Sequence, residues 1–424
     1  MYKVLYKYTE ISIMQQTFPK RATRCCKGWC VVHDATLILS DGTWFTGIGF
    51  GRRAPLPADL VHMEHDESPL GEVLFNTTMG AYHEILTDPS YAGQTIVMTS
   101  AHMGNYGCDP SWDETFLHRF TCKSLILRDL HEGHLPPGRA SLGHLCAQWD
   151  VCGLTDVDTR ALTLHLRSSG SQYGVVVDGI GHDTQAIRMV TGWIRSCPAM
   201  GERDFITPMT VPEPIRFESY GDQHASYALW DFGTKASIVE QLRRIGIGVT
   251  VFPASMPLVS ILSSDARYDA LFLSNGPGDP ASLQSHVKQI ASVIGTIPVV
   301  GICLGHQLAA QALGAKTMKM LYGHHGPNHP VRDLISGNVY VTAQNHGYCV
   351  DPSTFPPSAM VWLVNDNDQT VEGFFDEEHR IMTVQFHPEA GPGPWEARSL
   401  FGAFGRFVET GVYKILAREA DHAC

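Results

Sequence analysis

The spacing of apolar and polar positions changes character near the middle of the chain. From Ala35 onward, two short alternating runs, 36–39 and 43–48, flank Ser40-Asp41-Gly42. Asp-Gly between such runs predicts a β-hairpin. Residues 72–75 and 94–99 read as further strands, and 79–86 as a short helix before Thr87-Asp88-Pro89-Ser90-Tyr91. Aspartate followed by proline and serine marks an ordered turn. Asp158 and Thr159 are apt N-caps for a helical run that Gly170 closes. This region, 34–180, mixes strands and helices without regular alternation.

Pro198, Pro208, Pro212 and Pro214 punctuate a stretch of weak periodicity, 197–225, that reads as a linker. Beyond it, strand-like runs at 227–232, 249–252, 270–273 and 297–300 alternate with helix-like runs at 237–244 and 283–294. Alternation at these lengths predicts an α/β fold, a doubly wound, mostly parallel sheet with helices on both faces. The expected organisation is an extension at 1–33, a mixed α+β N-terminal domain at 34–196, the linker at 197–225 and the α/β domain at 226–424. Reactive groups in such sheets sit at the carboxyl ends of strands. Cys303 lies at one predicted end, and Asn275-Gly276 at another.

Gly301-Ile302-Cys303-Leu304-Gly305-His306-Gln307 joins a predicted strand to a helix that stops at Gly314. A glycine two residues to either side of the cysteine allows a sharp turn that holds the thiol out, the logic of a nucleophile elbow. A thiol at a helix N-terminus also feels the positive end of the dipole, which favours thiolate. The alternative is that Cys303 is a small buried hydrophobe, as most free cysteines are.

Composition narrows the classes. A net charge of -12 argues against a partner held through nucleic-acid phosphates. No apolar run approaches the ~20 residues that span a bilayer. The 11 cysteines are scattered, without an even framework or a secretory signal, and read as reduced thiols of an intracellular protein. The expected location is the cytoplasm. Residues 1–33 carry Lys3, Lys7, Lys20, Arg21, Arg24 and Lys27 against one acid, Glu10. That bias suits a transit peptide, which would place the protein in an organellar matrix, although the segment is short of serine. Read otherwise, it is a poorly ordered tail. Cys25, Cys26 and Cys30 lack the second ligand pair of a zinc site.

A cysteine nucleophile needs a base, and the base needs an orienting group. Among 21 histidines, His387 stands out: the apolar run 381–384 delivers it, and Glu389 follows two residues on. Pro388 between them restricts the backbone, so both side chains can face one side of a turn. Cys303, His387 and Glu389 then make nucleophile, base and orienter. The competing reading is a strand-end histidine paired with a nearby acid. Negative charge on a carbonyl oxygen needs backbone donors, for which the Leu304 and Gly276 N–H groups are candidates.

The two motifs around Cys303 and His387 resemble those of class I triad glutamine amidotransferases. The run 75–91 resembles the first domain of the carbamoyl phosphate synthetase small-subunit family. So do His102-Met103-Gly104-Asn105-Tyr106-Gly107, Asp158-Thr159-Arg160, Asp231-Phe232-Gly233-Thr234-Lys235, the 323–330 segment and Gln344-Asn345-His346-Gly347-Tyr348. The resemblance covers 35–412.

It implies that Cys303 attacks the side-chain amide of L-glutamine, that ammonia leaves, and that water hydrolyses the resulting thioester. It places Ser90, Gln307, Asn345, Gly347 and Tyr348 on glutamine, and Gly276 and Leu304 on the oxyanion. It implies a heterodimer with a large synthetase subunit that makes carbamoyl phosphate from bicarbonate. ATP and Mg are expected on that subunit and no cofactor on this one. Two stretches depart from the family pattern. Met79-Gly80-Ala81-Tyr82-His83-Glu84 stands where Met-Thr-Gly-Tyr-Gln-Glu is usual, and Gly391 stands where serine is usual. The 323–330 histidines read as a Gly/Pro-rich loop with no flanking acid, so no metal is expected there. Glutaminases of anthranilate or GMP synthesis are a second reading, against which the first domain argues. An interaction module that has lost activity is a third, against which the intact Cys303, His387 and Glu389 argue.

Overall fold

The computed structural model describes residues 33–65, 67–263 and 266–413. The N-terminal extension before His33 and its cysteines lie outside the described residues. The predicted hairpin forms: His33–Leu39 pairs antiparallel with Trp44–Gly51, and Gly42 takes the left-handed φ of 93° that the turn demands. These strands open a closed seven-stranded barrel, completed by Gly71–Asn76, Gln94–Met98, Ser124–Ile126, Cys152–Thr155 and Gln172–Asp178. Closure leaves no free sheet edge. Alternation then sorts the side chains. Leu37, Leu39, Val73, Val97 and Val176 pack in one cluster, while Ile38, Val175 and Val177 pack with Ile187, Val190 and Ile194 of the helix Thr184–Ser196.

The second half is a ten-stranded sheet. Its centre is five parallel strands in the spatial order Ile247–Pro253, Ala225–Asp231, Ala270–Leu273, Val299–Ile302, Ile381–Val384. Both faces are covered. Leu229, Val300 and Ile302 pack under Phe401 and Phe404 on one side. Ala228, Trp230 and Leu271 pack under Ile290 and Leu308 on the other. Two-sided burial is why these strands read as continuous apolar runs rather than alternating ones.

Beyond this parallel centre the sheet continues antiparallel, through Val371–Asp376, Met360–Asn365, Thr317–Asp333 and Val339–Val350. The histidine-bearing segment read as a loop is therefore part of a strand. Its pairing with Val339–Val350 shifts register between Lys319/His324 and Gly326/His329, and these irregularities, with Gly323 at φ 69°, mask the strand pattern in the sequence. The stretch read as a linker likewise holds an edge strand, Ile215–Phe217, antiparallel to Ile247–Pro253. The early helix spans Tyr82–Thr87 and starts later than the apolar pattern suggests, because Ala81 is left-handed at φ 53°. Barrel and sheet belong to one compact unit. Among the described residues no helix is long and apolar enough to cross a membrane.

Candidate active site

The strand Val299–Ile302 ends at Cys303, and the helix Leu304–Ala312 begins one residue later. Cys303 sits at φ 56°, ψ -104°, a conformation that costs a non-glycine residue about 1–3 kcal/mol and marks a held side chain. The flanking glycines are steric necessities. A Cβ on Gly301 would lie 2.9 Å from the Gly305 carbonyl carbon, and one on Gly305 would lie 2.2 Å from the Leu273 oxygen.

Parallel pairing brings the base to the nucleophile. Ile302 is in register with Val384, and the Cys303 N–H donates to the Val384 oxygen at 2.9 Å. Three residues on, the His387 N–H donates to the Ala343 oxygen at 2.9 Å, which fixes the turn. His387 Nδ1 lies 2.6 Å from Glu389 Oε1, both side chains being buried. His387 Nε2 has no hydrogen-bond partner among the described residues. The Cys303 thiol lies beside the ring but donates to the Asn345 carbonyl at 3.5 Å. Contacts between nucleophile and base are often loose before substrate binds. Burial works against the charged imidazole, but Glu389 and the neighbouring thiol outweigh it and push its pKa up to about 10. The protonated ring is the state reached once it has taken the thiol's proton.

Glu389 is itself held. Its oxygen Oε1 lies 3.1 Å from the Lys235 ammonium, which also donates to the Ala390 carbonyl. Burial would raise the Glu389 pKa, and Lys235 and then His387 bring it below the ordinary carboxylate value. Lys235, 2% exposed, has its own pKa raised by Glu389, Glu114 and Asp88 against the cost of burial. Sequence reasoning gave Lys235 no role in the triad, although a lysine at the end of a parallel strand, opening the helix Ala236–Arg244, was a usable signal.

The thiol opens on a narrow cleft. Its lining brings together Ser90, Gly276, Gln307, Asn345, Gly347 and Tyr348, all singled out from the sequence, with Glu72, Gln94 and His346, which were not. Gln307 Nε2 donates to the Tyr348 carbonyl at 2.9 Å and to Gln385 Oε1 at 3.0 Å. Asn345 is locked between His325 Nδ1 at 2.9 Å and Asp88 Oδ2 at 3.2 Å. Ser90 Oγ accepts from Asn275 Nδ2 at 2.9 Å across the barrel–sheet boundary. Among the described residues neither the Gly276 nor the Leu304 N–H has a protein acceptor, so both are free for an incoming oxygen. A Cβ at Gly276 would meet the Phe232 oxygen at 2.3 Å.

The histidine strand does have acids near it, delivered by pairing rather than by sequence. His324 Nε2 lies 2.9 Å from Asp368, and Nδ1 lies 3.6 Å from buried Glu372. Burial opposes the charge on His324, yet the two carboxylates raise its pKa to about 9, so an imidazolium offsets part of their charge. His346, whose ring lies edge-on to that of His324, directs Nδ1 at the Tyr348 oxygen (2.8 Å) and Nε2 at Gln344 Oε1 (2.9 Å).

Residues 37–176 match the family model described as carbamoyl-phosphate synthase small chain, CPSase domain, and 228–406 match glutamine amidotransferase class-I. A protein of Archaeoglobus fulgidus named carbamoyl phosphate synthase small chain is 40% identical over 378 residues, covering 88% of this chain and 98% of that one. The chain belongs to the carbamoyl phosphate synthase small-chain family. A chloroplastic member from Oryza sativa subsp. japonica is 38% identical, covering 89% of this chain and 82% of its own. One from Akkermansia muciniphila is 37% identical, covering 88% and 97%. The family match spans both the barrel and the sheet, so the cleft between them lies wholly within it.

Proposed function

We propose that this chain is the glutamine-hydrolysing subunit of a carbamoyl phosphate synthetase, with Cys303, His387 and Glu389 as its catalytic triad. The observation that carries the reading is the meeting of a strained buried thiol, an imidazole oriented by a carboxylate and two unpaired backbone donors at one cleft. His387 Nε2 takes the thiol proton as sulfur attacks the side-chain amide carbon of glutamine. The oxyanion is held by the Leu304 and Gly276 N–H groups, each worth ~2.7–4 kcal/mol in the transition state. The imidazolium returns its proton to the leaving ammonia, and water then cleaves the glutamyl thioester by the same route. Ser90, Gln307, Asn345, Gly347 and Tyr348 hold the amino acid. Burying its charged ends without matched partners would carry an uncompensated desolvation cost.

Ammonia passes to a large synthetase subunit in a heterodimer, where bicarbonate, ATP and Mg are handled. The division at 34–196, 197–225 and 226–424 is the working domain scheme. The location is cytoplasmic, or an organellar matrix if residues 1–33 are cleaved on import. Replacing Cys303 by serine tests the reading. The folded variant is expected to lose glutamine hydrolysis, while the reconstituted pair still makes carbamoyl phosphate from free ammonia. Undiminished glutaminase activity would sink it.

A further inference from the structure

Glu114 belongs to the barrel side of the chain, just after the turn Pro110–Trp112, yet its side chain is buried. It bounds the same small space as the Lys235 ammonium, which lies 3.3 Å from where a Cβ on Gly391 would sit. Its backbone N–H donates to Thr87 Oγ1 at 3.0 Å, next to the turn that carries Asp88 and Ser90. Its carbonyl accepts from Ala236 N–H at 2.8 Å. Its carboxylate oxygen Oε2 accepts from the Ser237 N–H at 3.1 Å and hydroxyl at 2.7 Å. The helix Ala236–Arg244 has no side-chain cap of its own. Glu114 supplies one from the other half of the molecule, where an anion also meets the helix dipole favourably. Room for the carboxylate comes from Gly391: a Cβ there would lie 2.0 Å from Glu114 Oε1. This is the position at which the sequence has glycine in place of the usual serine.

We propose that Glu114 is a positioning residue for the triad: it shares Lys235 with Glu389, and so transmits the seating of the barrel segment to the carboxylate that orients His387. The proposal rests on reading Cys303, His387 and Glu389 as that triad. The charges facing Glu114 are the Lys235 ammonium, the like charge of Glu389 and the Arg398 guanidinium. Glu84 and Asp88 also interact with Lys235. Neighbouring Asp113 is taken by His83 at 2.7 Å and His118 at 2.8 Å. Burial pushes the Glu114 carboxyl up to about 7 against the pull of Lys235 and Ser237, so it titrates under working conditions. Ionised, it draws on the lysine charge and leaves Glu389 pulling harder on the imidazolium. Protonated, it leaves Lys235 to Glu389 alone, and the hold on His387 weakens.

The test is the pH profile of Cys303 alkylation by iodoacetamide in the full chain, read by peptide mass spectrometry. Wild type should show a step in rate near pH 7, rising with pH, that follows Glu114. Glu114→Gln keeps an acceptor for the Ser237 N–H and removes the charge. Its expected profile lacks the step and is slower by roughly tenfold above neutrality, with glutamine KM unchanged. Gly391→Ser, which pushes the carboxylate aside while keeping its charge, should shift the step. A Glu114→Gln profile that overlays wild type overturns the proposal. Should that variant fail to fold, an unshifted Gly391→Ser profile does the same. Absence of selective Cys303 alkylation in wild type would instead overturn the triad reading, which separates the two failures.

Discussion

The two halves of the molecule meet at one cleft on unequal terms. The sheet contributes the proposed nucleophile, base, orienting carboxylate and both backbone donors. The barrel side contributes Ser90, Glu72, Gln94, Asp88 and Glu114, side chains that line the cleft or grip groups already in place. The difference follows from topology. Parallel strands end together at one rim and hand over to loops there, so reacting groups converge without long-range adjustment. The barrel reaches the site with the first residues of two strands, Glu72 and Gln94, and otherwise through the connecting segments that carry Asp88, Ser90 and Glu114. Sheet substitutions should therefore change the chemical step, and substitutions in the barrel wall of the cleft the binding of substrate. Glu114, which acts through Lys235, should alter the reactivity of the thiol and leave substrate binding alone.

The largest effect expected is that of Cys303→Ser, a loss of roughly three orders of magnitude or more in glutamine hydrolysis. A melting curve near wild type would accompany it. Next is Gly276→Ala, whose Cβ collides with the Phe232 oxygen at 2.3 Å and displaces a donor. A fall of about 10²–10³ in kcat follows if that donor serves the oxyanion. Lys235→Met leaves buried Glu389 without its cation and should cost about 3–5 kcal/mol in a denaturant melt, as breaking a buried pair does. On the barrel side, Ser90→Ala should raise the glutamine KM by at most about tenfold with little change in kcat, the worth of one or two hydrogen bonds. A kcat collapse there would break the division of labour. The smallest effect is expected for Lys319→Ala, which removes the 2.7 Å pair with Glu72. Lys319 is half exposed, so a shift under ~1 kcal/mol is expected in the same melt.

Stability should also report on the base. The folded His387 pKa is raised to about 10, so its contribution is fully present below its unfolded value. That contribution is lost as pH rises through the folded value. The melting temperature of wild type should therefore fall across that window more steeply than that of His387→Gln.

What the sequence made legible was local chemistry and local periodicity. Ala270–Leu273 was bounded correctly, because a doubly buried strand is one apolar run between turn signals. The elbow was legible because Gly301 and Gly305 are demanded by contacts within a few residues of Cys303 and one strand away. The antiparallel arm was not. Of its two long strands, Val339–Val350 is polar where it lines the cleft, and register shifts in its pairing with Thr317–Asp333 break the alternation a strand would otherwise show. Glu372 beside His324, and Glu114 beside Lys235, depend on which strand or loop lies next to which, and composition or spacing carries no trace of that.

The order of strands along the chain has a consequence for how such a site can be altered. Val299–Ile302 and Ile381–Val384 are neighbours in the sheet, and everything between them in sequence leaves and returns at the same seam. That excursion includes the strand bearing Asn345, Gly347 and Tyr348. The distance between sulfur and imidazole is set by that backbone pairing together with a group inside the excursion, the Ala343 carbonyl that accepts from the His387 N–H. Substrate recognition on this side of the cleft and the seating of the imidazole are thus tied through one strand. A graft made at 314–316 and 377–380 would disturb both unless it returns a carbonyl to the place of Ala343.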